Sequence, residues 1–503
     1  MTDTSSEENP AKLQRFLIFN SSWGPKEGEE EKKIVYYFPE EDADKTKHVG
    51  LIEALVRFMS VFSQNPAKFQ HTQKSKSVFA QVESGFWMSM TVSAPYKIKK
   101  SDNDSSSTEI SYYGDKLHDN VLEAKLKRAY DLFKIFTGGF QLLDTAEAIK
   151  AKAEGFFSRY IPNLHFNHCD NVNDLFGAVQ FLTLEPLDFL HVKSFVNKVE
   201  GDFGCVDKSL FLHHGNIVWS GVQQKETQLL YFYVYQTLLP ATGLATAAKP
   251  SANSTSSPFG GHQGRFLTGP TQLDLTVDEV NSLRIPKVYI PHICQETHLE
   301  AIQEYHLLVY HAIKSTLCLL IPSEVSFTVD FFKRLDGHLG PRLTNMSADL
   351  LDVFGRNAGS SVGANVMASE EISSILSPSI CVPPVVIDAK DEDTNVVYYN
   401  EANKAMKNTL TNQPHLEALQ HGIADLNQDL CDLKKLNNIM RDEEQKITSE
   451  LAVKLPNEDW IVGRHVDQRQ IYLGFKQKNS LLEVDSQVDK VMLSEFKNIC
   501  LPP

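Results

Sequence analysis

The residues that promise chemistry most openly lie between Ser21 and Phe38, in SSWGPKEGEEEKKIVYYF. Gly24, Pro25 and Gly28, with Lys26, Lys32 and Lys33 around them, have the composition of a loop that cradles a phosphate. Such a loop needs a lysine and a hydroxyl residue directly after its last glycine, and it opens a helix whose N-terminus faces the anion. Here Gly28 is followed by Glu29, Glu30 and Glu31, whose carboxylates repel a polyphosphate, and Lys33 leads into the strand-like IVYYF. The stretch is expected to be a hairpin tip carrying solvated charges.

The other reactive residue types give no stronger signal. Histidines gather at His165 and His168, at His213 and His214, and at His298, His306 and His311, without HExxH or any other ligand spacing. They are expected in loops or on the surface. The nucleophile elbow GxSxG is absent, and the acidic run Asp388–Asp393 lacks the central glycine and closing glutamate of a calcium loop. Cys169, Cys205, Cys294, Cys318, Cys381, Cys431 and Cys500 are odd in number and form no CxxC pair, which suits free thiols in a reducing compartment. The residues nominate no catalytic group, no metal ligand and no cofactor.

The elements that would position a site must therefore carry the reading. The 503 residues exceed a single core and point to about three domains. Hydrophobic residues make up 42% of the chain, enough to bury a core and place it among globular proteins. A formal net charge of −15 argues against broad nucleic-acid binding. The N-terminal MTDTSSEENPAK has neither an apolar signal region nor a glycine at position 2, and no apolar run is long enough to span a bilayer. A cytosolic protein is expected. The basic run Lys97–Lys100 is a minor candidate for anionic lipid.

One order of elements occurs three times: two short apolar runs joined by a polar turn, then a segment of helical period. It appears at 13–20 and 33–38 with a helix at 49–64, at 208–222 with a helix at 225–239, and at 459–477 with a helix at 486–499. Further helices are expected at 118–136, with Lys125, Lys127 and Arg128 solvated, and at 145–161. The fold class is α+β, with three antiparallel sheets that each carry helices. Ser- and Gly-rich stretches at 100–108, 240–264 and 355–384 are expected to be long loops or linkers.

The helix at 49–64 is the most informative segment. Its polar positions Glu53, Arg57, Ser60 and Gln64 make one narrow stripe, with Glu53 one turn before Arg57. Nearly all the rest is apolar, more than the stripe of about 100° that an ordinary surface helix buries. Either the helix is sandwiched within its own domain or it also forms a partner interface. The pattern alone favours the first.

Several stretches together resemble a known family. GPKEGEEEKKI (24–34), HVGLIEALVRF (48–58), HTQK (71–74), FWMSM (86–90), DLFGAVQF (174–181), VWSG (218–221), RFLTGP (265–270), DWIVGR (459–464) and KQKNSLLEV (476–484) look like the CCZ-type vacuolar fusion proteins. The likeness runs from about residue 13 to 500 and departs in the three Ser/Gly-rich insertions. It implies three longin domains, ideally ββαβββαα: 13–164, 165–355 with a disordered insertion at 240–264, and 385–503, after a disordered 1–12 and with a linker at 356–384. It also implies pairing with a MON-type tri-longin subunit, and a third regulatory subunit in animals. The pair would be a guanine-nucleotide exchange factor for the late-endosomal Rab GTPase (Rab seven), recruited peripherally to late endosomes, lysosomes and autophagosomes. Exchange by differential binding asks for no covalent chemistry, so the chain would not itself be an enzyme. The resemblance turns the helix into an interface helix. His48, Leu51, Leu55, Phe58, Met59 and Phe62 are the expected partner and GTPase surface, and His71, Thr72, Gln73 and Lys74 are secondary candidates unless they only cap a loop. The competing expectation is a longin-based trafficking adaptor that binds a GTPase without stimulating exchange.

Overall fold

The computed structural model describes residues 7–26, 28–62, 67–100, 108–114, 117–164, 166, 172–182, 184–241, 262–270, 283–293, 300–359, 394–408, 417–440, 448–476 and 480–495. The chain divides into two compact units, one of residues 1–177 with 412–432 and the other of 178–411 with 433–503.

The first unit is built on strands β1 (Glu7–Asn9), β2 (Leu13–Asn20), β3 (Ile34–Phe38), β4 (Phe69–His71), β5 (Ser75–Glu83), β6 (Phe86–Ser93), β7 (Tyr96–Lys100) and β8 (Thr108–Tyr112). Helix α1 (Lys45–Phe62) joins β3 to β4, and α2 (Asp119–Thr137), α3 (Ala146–Tyr160) and the short α4 (Val172–Phe176) follow. Five strands make an antiparallel sheet in the order β3-β2-β6-β5-β4. This is the expected ββαβββαα, with β1, β7 and β8 added as a three-stranded sheet. The expectation of disorder through residue 12 is thereby corrected, because the backbone of Glu7–Asn9 pairs with Tyr96–Ile98. Between β2 and β3 the glutamate–lysine tip curls into a 3₁₀ turn, Glu30–Lys33. It is a hairpin tip.

Alternation along β2 sorts the core into two layers. Phe16 and Ile18 face α2 and α3, where Leu122, Leu126, Phe133, Ile149, Ala153 and Phe157 complete the larger core. Leu17 and Phe19 face the other way, with Tyr37 and Phe79, and meet Val49 and Ile52 of α1. Among the described residues, α1 is thus the helix that covers this face of the sheet. The expected solvation of Lys125 and Arg128 does not hold. Both are buried on α2, where Lys125 Nζ lies 2.6 Å and Arg128 Nη1 3.0 Å from the Asp174 carboxylate. Burial opposes that carboxylate's charge, yet the two cations hold it below the usual range.

The second unit holds two more sheets of the same strand order. Strands β9 (Lys208–His213), β10 (Asn216–Ser220), β11 (Gly264–Phe266), β12 (Lys287–Ile293), β13 (Glu300–Ala312) and β14 (Ser315–Pro322) run β10-β9-β14-β13-β11, with β12 also on β13. Strands β15 (Thr394–Asn400), β16 (Met406–Asn408), β17 (Thr448–Lys454), β18 (Trp460–Val466) and β19 (Arg469–Phe475) run β16-β15-β19-β18-β17. With β12 set aside, the five-strand path of each sheet reads 2-1-5-4-3, and in each a helix lies between the second and third strands of the path in chain order. The helix after β10 is Gln224–Phe232, continued by a π-helical turn at Tyr233–Leu238. The last helix, Leu481–Glu495, begins before the expected 486, and its Val484, Val488 and Met492 pack on the third sheet. Of the insertions expected at 100–108, 240–264 and 355–384, residues 101–107, 242–261 and 360–384 lie outside the described residues, as do His165, His168, His298 and the acidic run 388–393. Helix Val329–Gly359 runs into the start of the expected linker.

Candidate functional site

Helix α1 has no partner on its outward flank among the described residues of its unit. Val49 and Ile52, spaced by three, are buried on the sheet, and Val56 packs beside them four residues on. The next stripe around the helix is apolar as well. Leu51 is 51% exposed, Phe58 61%, Met59 38% and Phe62 71%, while Leu55 is half-buried. Leu51, Leu55, Phe58 and Phe62 fall at spacings of four, three and four, so they lie above one another on one face. The rings of Phe58 and Phe62 touch, with centroids 5.0 Å apart. Val61, 78% exposed, extends this surface and was not among the expected residues. The unbroken apolar run Val61–Phe62 after Phe58–Met59 was its signal in the sequence.

The third flank of α1 is polar and fixed. Glu53 receives Lys33 Nζ at 2.7 Å and Arg57 Nη2 at 2.6 Å, which ties the helix to the hairpin tip. Two lysines of the supposed phosphate cradle thus serve carboxylates of the protein itself, Lys33 on Glu53 and Lys32 on Glu29 at 2.7 Å.

His48 is placed differently from the other candidates. Its ring stacks on Tyr37 and is engaged at both nitrogens. Arg15 Nη1 donates to Nε2 at 2.8 Å, and Nδ1 lies 2.7 Å from the Tyr37 hydroxyl, which donates to Asp42 Oδ2 at 2.7 Å. Burial and then the Arg15 guanidinium lower the His48 pKa, while burial and Asp42 raise that of Tyr37. His48 anchors the start of α1 to β2 and β3.

His71, Thr72, Gln73 and Lys74 form the turn between β4 and β5. Thr72 Oγ1 donates to Ser75 O at 2.9 Å and accepts from Ser75 N–H at 3.0 Å, a turn-closing pattern. His71 Nε2 meets Asp119 at 3.0 Å, at the start of α2. The side chains of Gln73 and Lys74 are exposed.

The histidines correct the expectation of loop or surface positions at two places. His213 and His311 are buried in β9 and β13, each with Nδ1 at 2.9 Å from a hydroxyl, Ser315 and Thr316 respectively. Burial pushes both pKa values down to about 4. Among the described residues no group of three or more His, Cys, Asp or Glu side chains is arranged to hold a metal, and no helix is long and apolar enough to cross a membrane. The exposed apolar stripe of α1 can do one thing chemically. It can exchange water for another apolar surface.

Comparison with known proteins covers each sheet in turn. A family model described as "First Longin domain of INTU, CCZ1 and HPS4" matches residues 13–138, which include α1. "Intu longin-like domain 2" matches residues 206–340, and "Intu longin-like domain 3" matches 390–491. The three sheets with their helices are therefore three longin-like domains. A protein of Xenopus laevis named "Vacuolar fusion protein CCZ1 homolog" is 33% identical over 97% of this chain and 96% of its own. Proteins of the same name are 35% identical in Nematostella vectensis, over 97% of both chains, and 25% in Dictyostelium discoideum, over 96% of this chain and 97% of that one.

Proposed function

The chain belongs to the CCZ1 family of vacuolar fusion proteins, and from that premise we propose that it is one subunit of a heteromeric guanine-nucleotide exchange factor. Its partner is a MON-type tri-longin subunit, and its substrate is the late-endosomal Rab GTPase (Rab seven). The observation that carries this reading is the apolar flank of α1, with Leu51, Phe58, Met59, Val61 and Phe62 open to solvent. An exposed apolar patch of this kind on a domain with its own complete core suits a standing interface better than a packing defect. The chain itself performs no covalent chemistry. The pair binds the nucleotide-free GTPase more tightly than the loaded form, and remodelling the switch segments weakens their hold on phosphate and magnesium. A third regulatory subunit and anionic lipid complete the assembly on late endosomes, lysosomes and autophagosomes, where it serves membrane fusion.

Release of a fluorescent guanine nucleotide from the Rab tests the reading, with this chain alone, the MON-type subunit alone and both together. Acceleration by the pair alone is expected. The second reading, an adaptor without exchange activity, predicts that the pair binds the GTPase and leaves release unchanged.

A further inference from the structure

Within the second unit, residues 178–182 form an extended segment outside the strands named above, and both edges of its backbone are taken. Val179 N–H donates to Lys404 O at 3.0 Å, and Met406 N–H donates to Val179 O at 3.1 Å. On the opposite edge Ile217 N–H donates to Gln180 O at 2.7 Å, and Leu182 N–H donates to Ile217 O at 2.9 Å. Val179 thus makes a parallel bridge with Ala405, next to β16, and Phe181 makes one with Ile217 of β10. Strands β10 and β16 each end the path of their sheet, and every partner belongs to the same unit. The segment lies between two sheet edges, parallel to both.

Each wall is shaped by its own domain. The turn into β16 is closed by side chains, because Asn400 Oδ1 accepts from Ala402 N–H and Asn403 Oδ1 from Ala405 N–H, each at 3.0 Å. Asn400 N–H donates to Ala405 O at 2.9 Å, which leaves the Ala405 neighbours Lys404 and Met406 to face the segment. Lys404 sits in the left-handed region at φ 58, a conformation that a residue with a Cβ keeps only where its surroundings impose it. On the other side β10 is held by β9, and its register shifts between Ile217 and Trp219. Edge strands present unpaired N–H and C=O groups, so two such edges facing one segment make a slot with donors and acceptors on both walls. Of the occupant's side chains, Val179 is buried, Gln180 is exposed, and Leu182 packs against the second-sheet core.

We propose that the gap between β10 and β16 is a strand-acceptor site, which binds an extended peptide parallel to both walls and is filled by the chain's own residues 178–182. Backbone hydrogen bonds supply the recognition, as in other cases of strand addition. Two apolar positions supply the selectivity: an enclosed one at Val179 and one against the second core at Leu182. The occupant meets its walls through the four backbone bonds above, so a separate peptide of the same sequence can replace it without rebuilding either sheet. An occupant on the same chain competes at high effective concentration, so the site opens to a free peptide when the resident segment is weakened. The inference does not depend on exchange activity.

Hydrogen exchange on the full chain tests it at the amides of Ile217 and Met406, one on each wall. Val179→Pro deletes the donor to Lys404 O, and both amides are expected to exchange about tenfold faster, with Leu319 of β14 and Leu473 of β19 unchanged. The synthetic peptide AVQFLTL, residues 178–184, added in excess should return both amides to their native rates. The same peptide with proline in place of its valine should not. Leu182→Ala keeps every backbone group and only loosens the segment from the second core, so the same two amides should quicken by about threefold, with the same rescue. Acceleration at one wall alone overturns the proposal, as does failure of the native peptide to slow exchange in both variants. So does a rise that reaches Leu319 and Leu473 in both variants, which marks loss of fold rather than an emptied slot.

Discussion

Arg15 Nη1 lies 2.8 Å from His48 Nε2, and since a guanidinium only donates, His48 accepts there and carries its proton on Nδ1, toward Tyr37. The ring is neutral in the fold, in keeping with a pKa lowered by burial and by Arg15. The unfolded chain then binds the proton more readily, so the contribution of His48 is fully present above about pH 6.5 and is lost as pH falls through the folded value. His48→Phe keeps a ring against Tyr37 but removes both hydrogen bonds, and should cost about 1–2 kcal/mol. Amide exchange at the start of α1 should quicken below about pH 6.5 in the native chain. In the variant that acid sensitivity should be gone.

Two residues of α1, six apart, should separate folding from association. Ile52 is 6% exposed on the sheet, and Ile52→Ala should lower stability by about 2–5 kcal/mol through transfer and cavity terms. Phe58 is mostly in water, so Phe58→Asp should change stability by less than about 0.5 kcal/mol. Under the proposed function the same change should weaken association with the MON-type subunit or the GTPase by about 2 kcal/mol or more. Thermal unfolding together with co-purification checks both. An unfolded Phe58→Asp would place that ring in the core.

Local patterns were legible in the sequence where neighbours along the chain decide the structure. The hairpins at Lys208–Ser220 and Trp460–Phe475 were visible because their turns and alternation are local. The surplus of apolar residues on α1 was visible too, though which third of the helix would stay open depends on how the helix seats on Leu17, Phe19, Tyr37 and Phe79. Long-range partners were not legible. Lys125 and Arg128 have the spacing of solvated helix charges, and only the return of Asp174, 49 and 46 residues later, makes them buried. His213 and Ser315 meet across 102 residues through strand pairing, which no local pattern shows.

Glu83, at the end of β5, organises the turn after α2. Its carboxylate accepts from the Tyr130 hydroxyl and from the backbone N–H groups of Phe140 and Gln141, the last two at 2.9 Å. Glu83→Ala leaves those donors without their acceptor and should cost about 1–3 kcal/mol. Gly139, at φ 102, lies so close that an added Cβ would come 2.6 Å from Glu83 Oε1. Gly139→Ala should therefore destabilise by at least about 1 kcal/mol, and combined with Glu83→Ala by less than the sum, because the clash goes with the carboxylate. A double-mutant cycle by denaturant unfolding of the first unit's signal measures the coupling.

Lys125 and Lys127, two residues apart on α2, should answer unequally to loss of charge. Lys127 is 58% exposed and pairs with Glu123 at 2.6 Å within its own helix. Such a pair contributes little in water, so Lys127→Met should change stability by less than about 0.5 kcal/mol, and less still at high salt. Lys125 is 8% exposed, and its ammonium is one of two cations on Asp174. Lys125→Met leaves Asp174 with Arg128 alone in a site where burial already opposes the charge. The cost should be about 1–3 kcal/mol and largely independent of salt, since the pair is shielded from the ionic atmosphere. It should also grow with pH, because the Asp174 carboxyl has its pKa held below the unfolded value: the stability of the pair is present above about pH 4 and lost as pH falls through the folded value. Unfolding of both variants at two salt concentrations and two pH values decides it, and equal costs for the two lysines would show that Asp174 does not depend on Lys125.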